Sequence, residues 1–309
     1  MVDQTIEDTR SLSTVAIHTS TVVLTTIFSI VGNSLVCLAF CRNRRLRTIT
    51  NFYVVSLSLI GIIMATVSYP FIAISSGLRE WPFGFNFCQV NGFLKYYFSG
   101  VSIGILTLTA INRYVCVVRS QFYHGLFTRK RTVASILFVW LLCLIVGLIA
   151  TLVAPLLFRW HYYYLLCEID IETQVNKVLT FTVVAAFMIL PMCLITFCYG
   201  SVYLAIRRHN SAVIPSLQQK NNQRILSGHE IQASRILLAA VITFFICWLP
   251  TTVVKILERV ALLNVPSFWQ YFHTLSAFCS SWINPIIYGV MNRAMRNEFL
   301  KLLRCRKEK

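Results

Sequence analysis

Seven long apolar stretches recur along this chain, and they constrain its fold more than any other feature of the sequence. They lie near residues 17–41, 52–76, 88–119, 132–158, 176–207, 231–258 and 268–291. As an α-helix, which rises about 1.5 Å per residue, each stretch is long enough to cross the roughly 30 Å hydrocarbon core of a bilayer. The pattern therefore predicts an all-α membrane protein folded as a bundle of seven transmembrane helices.

Composition agrees with a membrane location and argues against catalysis. The chain is 57% hydrophobic and only 13% charged, whereas soluble domains carry about 25% charged residues. No internal repeat is found, which weighs against a transporter built from repeated halves. No metal-ligand spacing, phosphate-binding loop or nucleophile–base motif is found either. The sequence therefore predicts no enzyme activity, no metal and no cofactor.

The net charge of +17 is distributed unevenly across the predicted membrane. With seven spans, 21 of the 28 Lys and Arg residues fall toward one side, and 8 of the 11 Asp and Glu residues fall toward the other. The positive-inside rule makes the basic side cytoplasmic, so the N-terminus is predicted outside and the C-terminus inside. A basic inner face favours contact with anionic membrane lipid and argues against nucleic acid as a partner.

This topology divides the chain into three parts. Residues 1–16 are predicted to be an extracellular N-terminus, 17–291 the seven-span domain, and 292–309 a cytoplasmic amphipathic helix with a tail. In the last part Arg293, Arg296 and Lys301 alternate with apolar residues, as expected of a helix in the inner interface. Cys305 follows this basic amphipathic stretch and is a candidate for palmitoylation.

Short motifs occur in a fixed order along the predicted spans. They are Gly32-Asn33-Ser34, Asn51 with Ser56-Leu57, Trp81-Pro82-Phe83-Gly84, Cys88, Asn112-Arg113-Tyr114, Trp140, Pro191 with Tyr199, Phe244 with Cys247-Trp248-Leu249-Pro250, and Asn284-Pro285-Ile286-Ile287-Tyr288. Together they resemble the rhodopsin-like (class A) G-protein-coupled receptor family. CQVNGFL at 88–94 and YGVMNRAMR at 288–296 resemble the melatonin-receptor-like branch. The Asn284-Pro285 pair departs from that branch, which typically has Asn-Ala there, so the resemblance implies kinship rather than a particular ligand.

The resemblance implies a plasma-membrane receptor that binds an extracellular small molecule and activates a heterotrimeric G protein when its sixth helix swings open. It implies a disulfide between Cys88 and Cys167, and an ion pair between Arg113 and Glu230 that holds the resting state. The residues implied in the activation switch are Asn112, Arg113, Tyr114, Tyr199, Glu230, Phe244, Pro250, Asn284, Pro285 and Tyr288.

Two positions depart from the family pattern. Most relatives have an acid immediately before the arginine, where this chain has Asn112, so the lock is expected to be weaker and to depend on Glu230. Relatives also carry a buried acid in the second span, where this chain has Gly61. Without that carboxylate, sodium is expected to bind poorly, and agonist affinity is expected to be insensitive to sodium.

The outer half of the third span carries an unusual cation. Asn91, Lys95 and Ser99 share one face of a helix because they recur at intervals of four, and Lys95 stands where amine receptors have an acid. Lys255 lies seven residues after Trp248 and is expected to face the same cavity. The predicted ligand-binding residues are Asn91, Lys95, Tyr96, Ser99, Trp248, Lys255, His273 and Phe278.

The sequence permits several alternatives. Two ammonium groups favour an anionic ligand, but Lys95 could instead pair internally with Glu168, Glu258 or another outer acid. The missing acids at Gly61 and Asn112 also permit a constitutively active receptor without a conventional ligand. A transporter is the alternative from a different class of protein.

Overall fold

The computed structural model describes residues 10–153, 158–161, 164–169, 178, 182, 186, 189–212, 228–259, 263 and 265–304. Its α-helices are α1 (Leu12–Arg42), α2 (Ile49–Val67), α3 (Tyr69–Leu78), α4 (Gly84–Val118), α5 (Tyr123–Leu126), α6 (Arg129–Val153), α7 (Leu190–Ala212), α8 (Gly228–Arg259), α9 (Ser267–Met291) and α10 (Arg293–Leu303). Strands β1 (Phe158–His161) and β2 (Leu166–Ile169) form a short antiparallel hairpin.

The predicted spans coincide with long helices. Within the described part of the chain, six spans are long and apolar enough to cross a membrane, α2 and α3 together counting as one. Helix α9 is a seventh long helix in addition to these six. It matches the seventh predicted span within one residue and packs against α8 and α1. The structure describes the fifth predicted span as a continuous helix only from 190 onward. There α7 continues beyond the predicted end at 207 to Ala212. The seven-helix prediction is confirmed by this architecture.

Two local signals explain where the helices differ from their predicted bounds. Helix α1 begins earlier than predicted because the Ser11 side chain caps it by accepting a hydrogen bond from the Thr14 amide at 3.2 Å. The second span is broken at Ser68, between α2 and α3. Pro70 has no backbone N–H and its ring crowds the preceding turn, which accounts for the break.

Helix α4 occupies the centre of the bundle. It packs against α2, α6, α7 and α8, and against both strands of the hairpin. Its 35 residues extend about 52 Å at 1.5 Å per residue. It begins at Gly84, whose positive φ of 77° is readily adopted by glycine and ends the preceding turn. One continuous helix therefore connects the outer hairpin with the inner ends of its neighbours.

Helix α10 follows α9 after a single residue and has the predicted amphipathic character. The Asn292 side chain caps it by accepting from the amides of Ala294 and Met295. Met295 is fully buried, whereas Arg293 and Arg296 are exposed. The buried Glu298 accepts from Asn43 at 3.1 Å and Lys301 at 3.1 Å, which ties α10 to the turn after α1. Cys305 lies outside the described residues.

Candidate functional site

A small cavity lies between the outer ends of α4, α8 and α9, beneath the hairpin. It has a volume of about 30 Å³, room for one or two water molecules. Its walls combine two lysines with aromatic and small polar side chains. The lining residues are Lys95, Tyr96, Ser99, Leu166, Trp248, Thr251, Lys255, His273, Thr274, Ala277 and Phe278.

Both lysines converge on one carboxylate. Lys95 and Glu168 form an ion pair in direct contact, and Lys255 Nζ lies 2.8 Å from the second oxygen of Glu168. The Tyr96 hydroxyl donates to that oxygen at 2.6 Å and accepts from Lys255 at 3.0 Å. Of the alternatives open from sequence, the structure therefore has Lys95 paired with Glu168, whose side chain is 3% exposed.

The charges in this cluster do not cancel. Lys95 and Lys255 contribute two positive charges, and Glu168 contributes one negative charge. Glu258 is engaged elsewhere, with the Tyr164 hydroxyl and with Gln270, whose amide nitrogen lies 2.6 Å from it. Among the described residues that form the cluster, one positive charge is left without a compensating anion.

The hairpin brings Glu168 to the two lysines through its strand geometry. Side chains alternate across a strand, so Leu166, which lines the cavity, and Glu168, which contacts Lys95 and Lys255, lie on one face, while Cys167 on the other face bonds to Cys88. The predicted disulfide is thus present. The Gln89 side chain both donates to the Phe158 carbonyl and accepts from its amide at 3.0 Å. Together these contacts hold both strands against the first turns of α4.

Aromatic and polar side chains form the deeper walls. His273 is 1% exposed, and its two ring nitrogens have no hydrogen-bond partner among the described residues. The indole nitrogen of Trp248 also has none there. Phe278 packs on Tyr69 with ring centroids 4.6 Å apart. Buried polar groups are normally hydrogen-bonded, so the cavity offers donors and an acceptor to a molecule that enters it.

Seven of the eight predicted ligand-binding residues line the cavity, and Asn91 does not. Asn91 accepts from Ser68 Oγ at 3.2 Å instead, where the Pro70 break brings α2 and α3 close to α4. Asn91 shares a helix face with Lys95 but does not line the cavity, because that face of α4 contacts different neighbours at different depths.

Sequence reasoning missed four lining residues. Thr251 lies three residues after Trp248, Thr274 precedes Phe278 by four, and Ala277 follows His273 by four, so helical spacing from the predicted residues could have indicated all three. Leu166 belongs to the hairpin, which no pattern in the sequence predicted.

At the inner end of α4, Arg113 is bound by neutral groups. Its guanidinium donates to Asn112 Oδ1 at 2.5 and 3.1 Å and to Thr50 Oγ1 at 2.6 Å. In the described part of the chain no ion pair joins Arg113 to Glu230, although the sequence predicted one. The Cys116 thiol lies 3.8 Å from Glu230 instead. The neutral oxygens of Asn112 and Thr50 are closer to the guanidinium and take its donors.

The other predicted switch residues on α8 and α9 include two prolines inside the helices. Phe244 packs under Trp248 with ring centroids 5.7 Å apart, and Pro250 lies inside α8. On α9, half-buried Asn284 precedes Pro285, which is itself inside the helix.

The predicted switch tyrosines sit on the inner half of the bundle. Tyr199 and Tyr288 are buried, and their hydroxyls have no hydrogen-bond partner among the described residues. Tyr114 contacts Phe197 of α7, with ring centroids 5.7 Å apart.

An amide fills the place where the family pattern has a carboxylate. A Cβ on Gly61 would lie 2.5 Å from Asn33 Nδ2 and 3.1 Å from the Ser281 carbonyl. Asn33 donates to the carbonyls of Ser29 and Ser281, each at 2.8 Å. This amide links α1 with α9 beside α2 and leaves no carboxylate there to bind a cation.

Sodium is therefore expected to have no specific effect on this protein. A specific ion at 100 times its dissociation constant would stabilise the folded state by about 2.7 kcal/mol. The melting temperature of the purified protein should be the same in sodium chloride and in N-methyl-D-glucamine chloride at equal ionic strength. Agonist affinity should likewise agree between the two salts. A saturable rise in stability that only sodium produces would contradict this prediction.

Comparison with known proteins places the chain in a family. The model of the 7 transmembrane receptor (rhodopsin family) matches residues 32–288. The melatonin receptor type 1A of Gallus gallus is 28% identical over 293 residues, covering 92% of this chain and 80% of the relative. The melatonin receptor type 1B of Mus musculus is 29% identical over 286 residues, covering 91% and 76%. The type 1C receptor of Xenopus laevis is 27% identical over 307 residues, covering 97% and 70%.

The family match extends from within the first span to Tyr288 in the last turn of the seventh, and the relatives cover nearly the whole chain. The helical architecture, the disulfide between α4 and the hairpin, and the motif residues around Arg113 agree with it. The chain therefore belongs to the rhodopsin family of seven-transmembrane receptors, proteins that bind ligands and couple to G proteins rather than catalyse reactions.

Proposed function

We propose that this receptor binds an extracellular small molecule carrying an anionic group and signals to a heterotrimeric G protein by opening the inner end of α8. One observation carries the ligand class. Lys95, Lys255 and the Tyr96 hydroxyl converge in one cavity, and among the described residues of this cluster one positive charge beside Glu168 is uncompensated. Charge-assisted hydrogen bonds from ammonium groups are about twice as strong as neutral ones.

The rest of the cavity supports a ligand with an apolar or aromatic body. Trp248 and Phe278 supply aromatic surface, and His273 and the Trp248 indole nitrogen supply hydrogen-bonding groups without partners among the described residues. The relatives are named for melatonin, an uncharged indole. The two lysines favour a ligand that differs from melatonin in charge, so kinship alone does not assign melatonin here.

Coupling to the inner face follows from the helices that line the cavity. A ligand that binds one of two conformations more tightly shifts the population toward it. Trp248 and Phe244 lie on α8 next to Pro250, which removes a backbone hydrogen bond and allows the helix to bend. Outward movement of α8 would expose Arg113 to a G protein, with Tyr199 and Tyr288 supplying hydroxyls to the open form.

The hydrogen bonds of Arg113 give a test of the resting state. Thr50→Val removes one acceptor of the guanidinium without changing side-chain volume much. We expect basal G-protein turnover to rise about 2- to 10-fold, the equivalent of roughly 0.5–1.5 kcal/mol. Glu230→Ala should raise it less, because Glu230 is not paired with Arg113 in this structure. A large rise in Glu230→Ala with none in Thr50→Val would favour the ion-pair lock instead.

The ligand class is tested by a broad screen read by G-protein activation, with organic anions and neutral indoles in the same panel. Activation by an organic anion that weakens in Lys95→Ala supports the proposal. A potent neutral indole that is indifferent to Lys95→Ala would refute the anionic ligand while leaving receptor function intact. A flux assay on the reconstituted protein separates the receptor from a transporter.

Constitutive activity is the second candidate function, and specific observations favour it. In the part of the chain that the structure describes, Arg113 is held by neutral groups, and Gly61 stands where the family pattern has a buried acid, so fewer charges restrain the resting state. Basal G-protein turnover without any added ligand decides between the two. Turnover near the ligand-stimulated level would favour a constitutively active receptor.

The proposed placement in the plasma membrane has the N-terminus outside and the C-terminus in the cytoplasm. Charge distribution supports it, because the inner loops and tail carry most Lys and Arg residues. The disulfide between Cys88 and Cys167 supports it too, since disulfides persist outside the reducing cytosol. Residues 1–16 are then extracellular, 17–291 the receptor domain, and 292–309 the cytoplasmic lipid-contacting segment with Cys305 as its palmitoylation site.

A further inference from the structure

We propose that the Lys95–Lys255–Tyr96 cluster is a site for a carboxylate group that the receptor fills with its own Glu168, and that a ligand enters by taking over the place of Glu168 against Lys95. This inference rests on the proposed function in one respect, that the natural ligand is an anion. The carboxylate site itself is defined by the contacts of Glu168.

The contacts of Glu168 are those of a bound ligand. One of its carboxylate oxygens accepts a hydrogen bond from Lys95, and the other accepts from both Lys255 and Tyr96. At 3% exposure the side chain is nearly withdrawn from solvent. Glu168 belongs to strand β2 of the hairpin rather than to a helix of the bundle, and it lies 73 residues along the chain from Lys95.

The hairpin is anchored in a way that fixes this position. The disulfide bonds Cys167, the residue next to Glu168, to the first turns of α4. The Gln89 side chain holds the backbone of Phe158, and the Phe158 ring covers Gly92 so closely that a Cβ there would lie 2.5 Å from it. Glu168 therefore enters the cluster with little loss of conformational freedom, as a preorganised group does.

The contacts of Lys95 decide how a ligand carboxylate can bind. The free cavity is small, about 30 Å³, against about 300–1,000 Å³ for sites that enclose small molecules, and the ammonium group of Lys95 is already in contact with Glu168. A ligand carboxylate that binds Lys95 therefore takes the position that Glu168 occupies there. The disulfide keeps Glu168 nearby, and Lys255, which is 31% exposed against 12% for Lys95, is the outer of the two partners.

The charges balance in the displaced state. Glu168 remains with Lys255 near the rim, and the ligand carboxylate binds Lys95 deeper in the cavity. Two ammonium groups then face two carboxylates, which neutralises the positive charge left over in the unliganded receptor. The class of ligand that fits is a molecule with a carboxylate at one end, and acetate and propionate are small probes of the site.

Chemical rescue tests this without knowledge of the natural ligand. Glu168→Ala removes the one anion that contacts Lys95 and Lys255 among the described residues, which is destabilising because buried charges need partners. The melting temperature of the purified receptor is expected to fall by several degrees. Acetate and propionate should restore it in a saturable manner, whereas acetamide, a neutral molecule of the same shape, should not when ionic strength is kept equal with sodium chloride.

Two controls isolate the site. Wild-type receptor should show little acetate effect because Glu168 already fills the cluster, and the double variant Lys95→Ala/Glu168→Ala should show no rescue. Glu258→Ala removes another outer acid, one bonded to Tyr164 and Gln270, and its lost stability should not return with acetate. Should Glu168→Ala fail to fold, Glu168→Gln keeps the side-chain volume and should show a smaller rescue, because its amide still occupies the space.

The outcomes separate the carboxylate site from the proposed function. An equal acetate shift in the double variant, or none in Glu168→Ala and Glu168→Gln, would overturn the carboxylate site. Rescue combined with a neutral agonist would uphold the site and refute the proposed ligand class. An anionic agonist that depends on Lys95 but has unchanged potency in Glu168→Ala would uphold the proposed function and overturn displacement.

Discussion

Lys95→Ala is expected to lower the potency of an anionic agonist by about 10- to 100-fold, the equivalent of losing one hydrogen bond to a charged group at about 1.5–3 kcal/mol. The loss is large because Glu168 stays tethered beside the site. In the wild-type receptor two ammonium groups serve the two carboxylates of the liganded state, and in the variant only Lys255 does. The concentration of agonist for half-maximal G-protein activation measures the effect.

Lys95→Met separates charge from volume in this experiment. Methionine keeps the length of the unbranched side chain and removes only the ammonium group, so it should lose as much potency as alanine. Potency retained in Lys95→Met but lost in Lys95→Ala would show that Lys95 acts by filling space, and the anionic ligand would then lack support.

Cys167→Ser is expected to lower thermal stability and to raise agonist potency, because a hairpin that is held less firmly competes less well with the ligand for Lys95. The disulfide joins residues 79 apart in sequence, and loss of a native disulfide typically costs about 2–5 kcal/mol in small extracellular domains. In this receptor the loss of stability should affect the hairpin first, because Cys167 is adjacent to Glu168. Thermal melting, together with agonist titration of the protein at the cell surface, measures both effects.

Cys193→Ser is the matched control for this substitution. Cys193 is exposed and is not disulfide-bonded, so its replacement should leave the melting temperature and potency near wild-type values. Wild-type melting and potency in Cys167→Ser would mean that the remaining contacts of Gln89 and Phe158 hold the hairpin without the disulfide.

Local patterns in the sequence were enough to predict the helices and much of the cavity. Spacing along single helices placed Lys95 with Ser99 and Trp248 with Lys255, and all four line the cavity. The order of motifs gave the family, and the family gave the disulfide. These features depend on near neighbours in the chain or on a pattern shared by many proteins.

Features that depend on distant contacts were missed or left open. The choice of Glu168 rather than Glu258 as the partner of Lys95 depends on which hairpin face meets the cavity, and no local pattern encodes that. The pairing of Arg113 with Glu230 was wrong for this structure, because Thr50 from the start of α2 comes within 2.6 Å of the guanidinium. The filling of the Gly61 site by Asn33 likewise depends on how closely α1, α2 and α9 approach.

Because Glu168 belongs to the chain, its concentration at the cluster is constant whatever the surrounding fluid contains. A tethered group competes at an effective concentration that can reach the millimolar range, and it weakens every carboxylate ligand by the same factor. Acetate-like background acids, which gain nothing beyond the carboxylate, would then rarely occupy the site. Molecules that also contact Trp248, His273 and Phe278 would bind tightly enough to outcompete Glu168. The hairpin would therefore prevent simple carboxylic acids from activating the receptor.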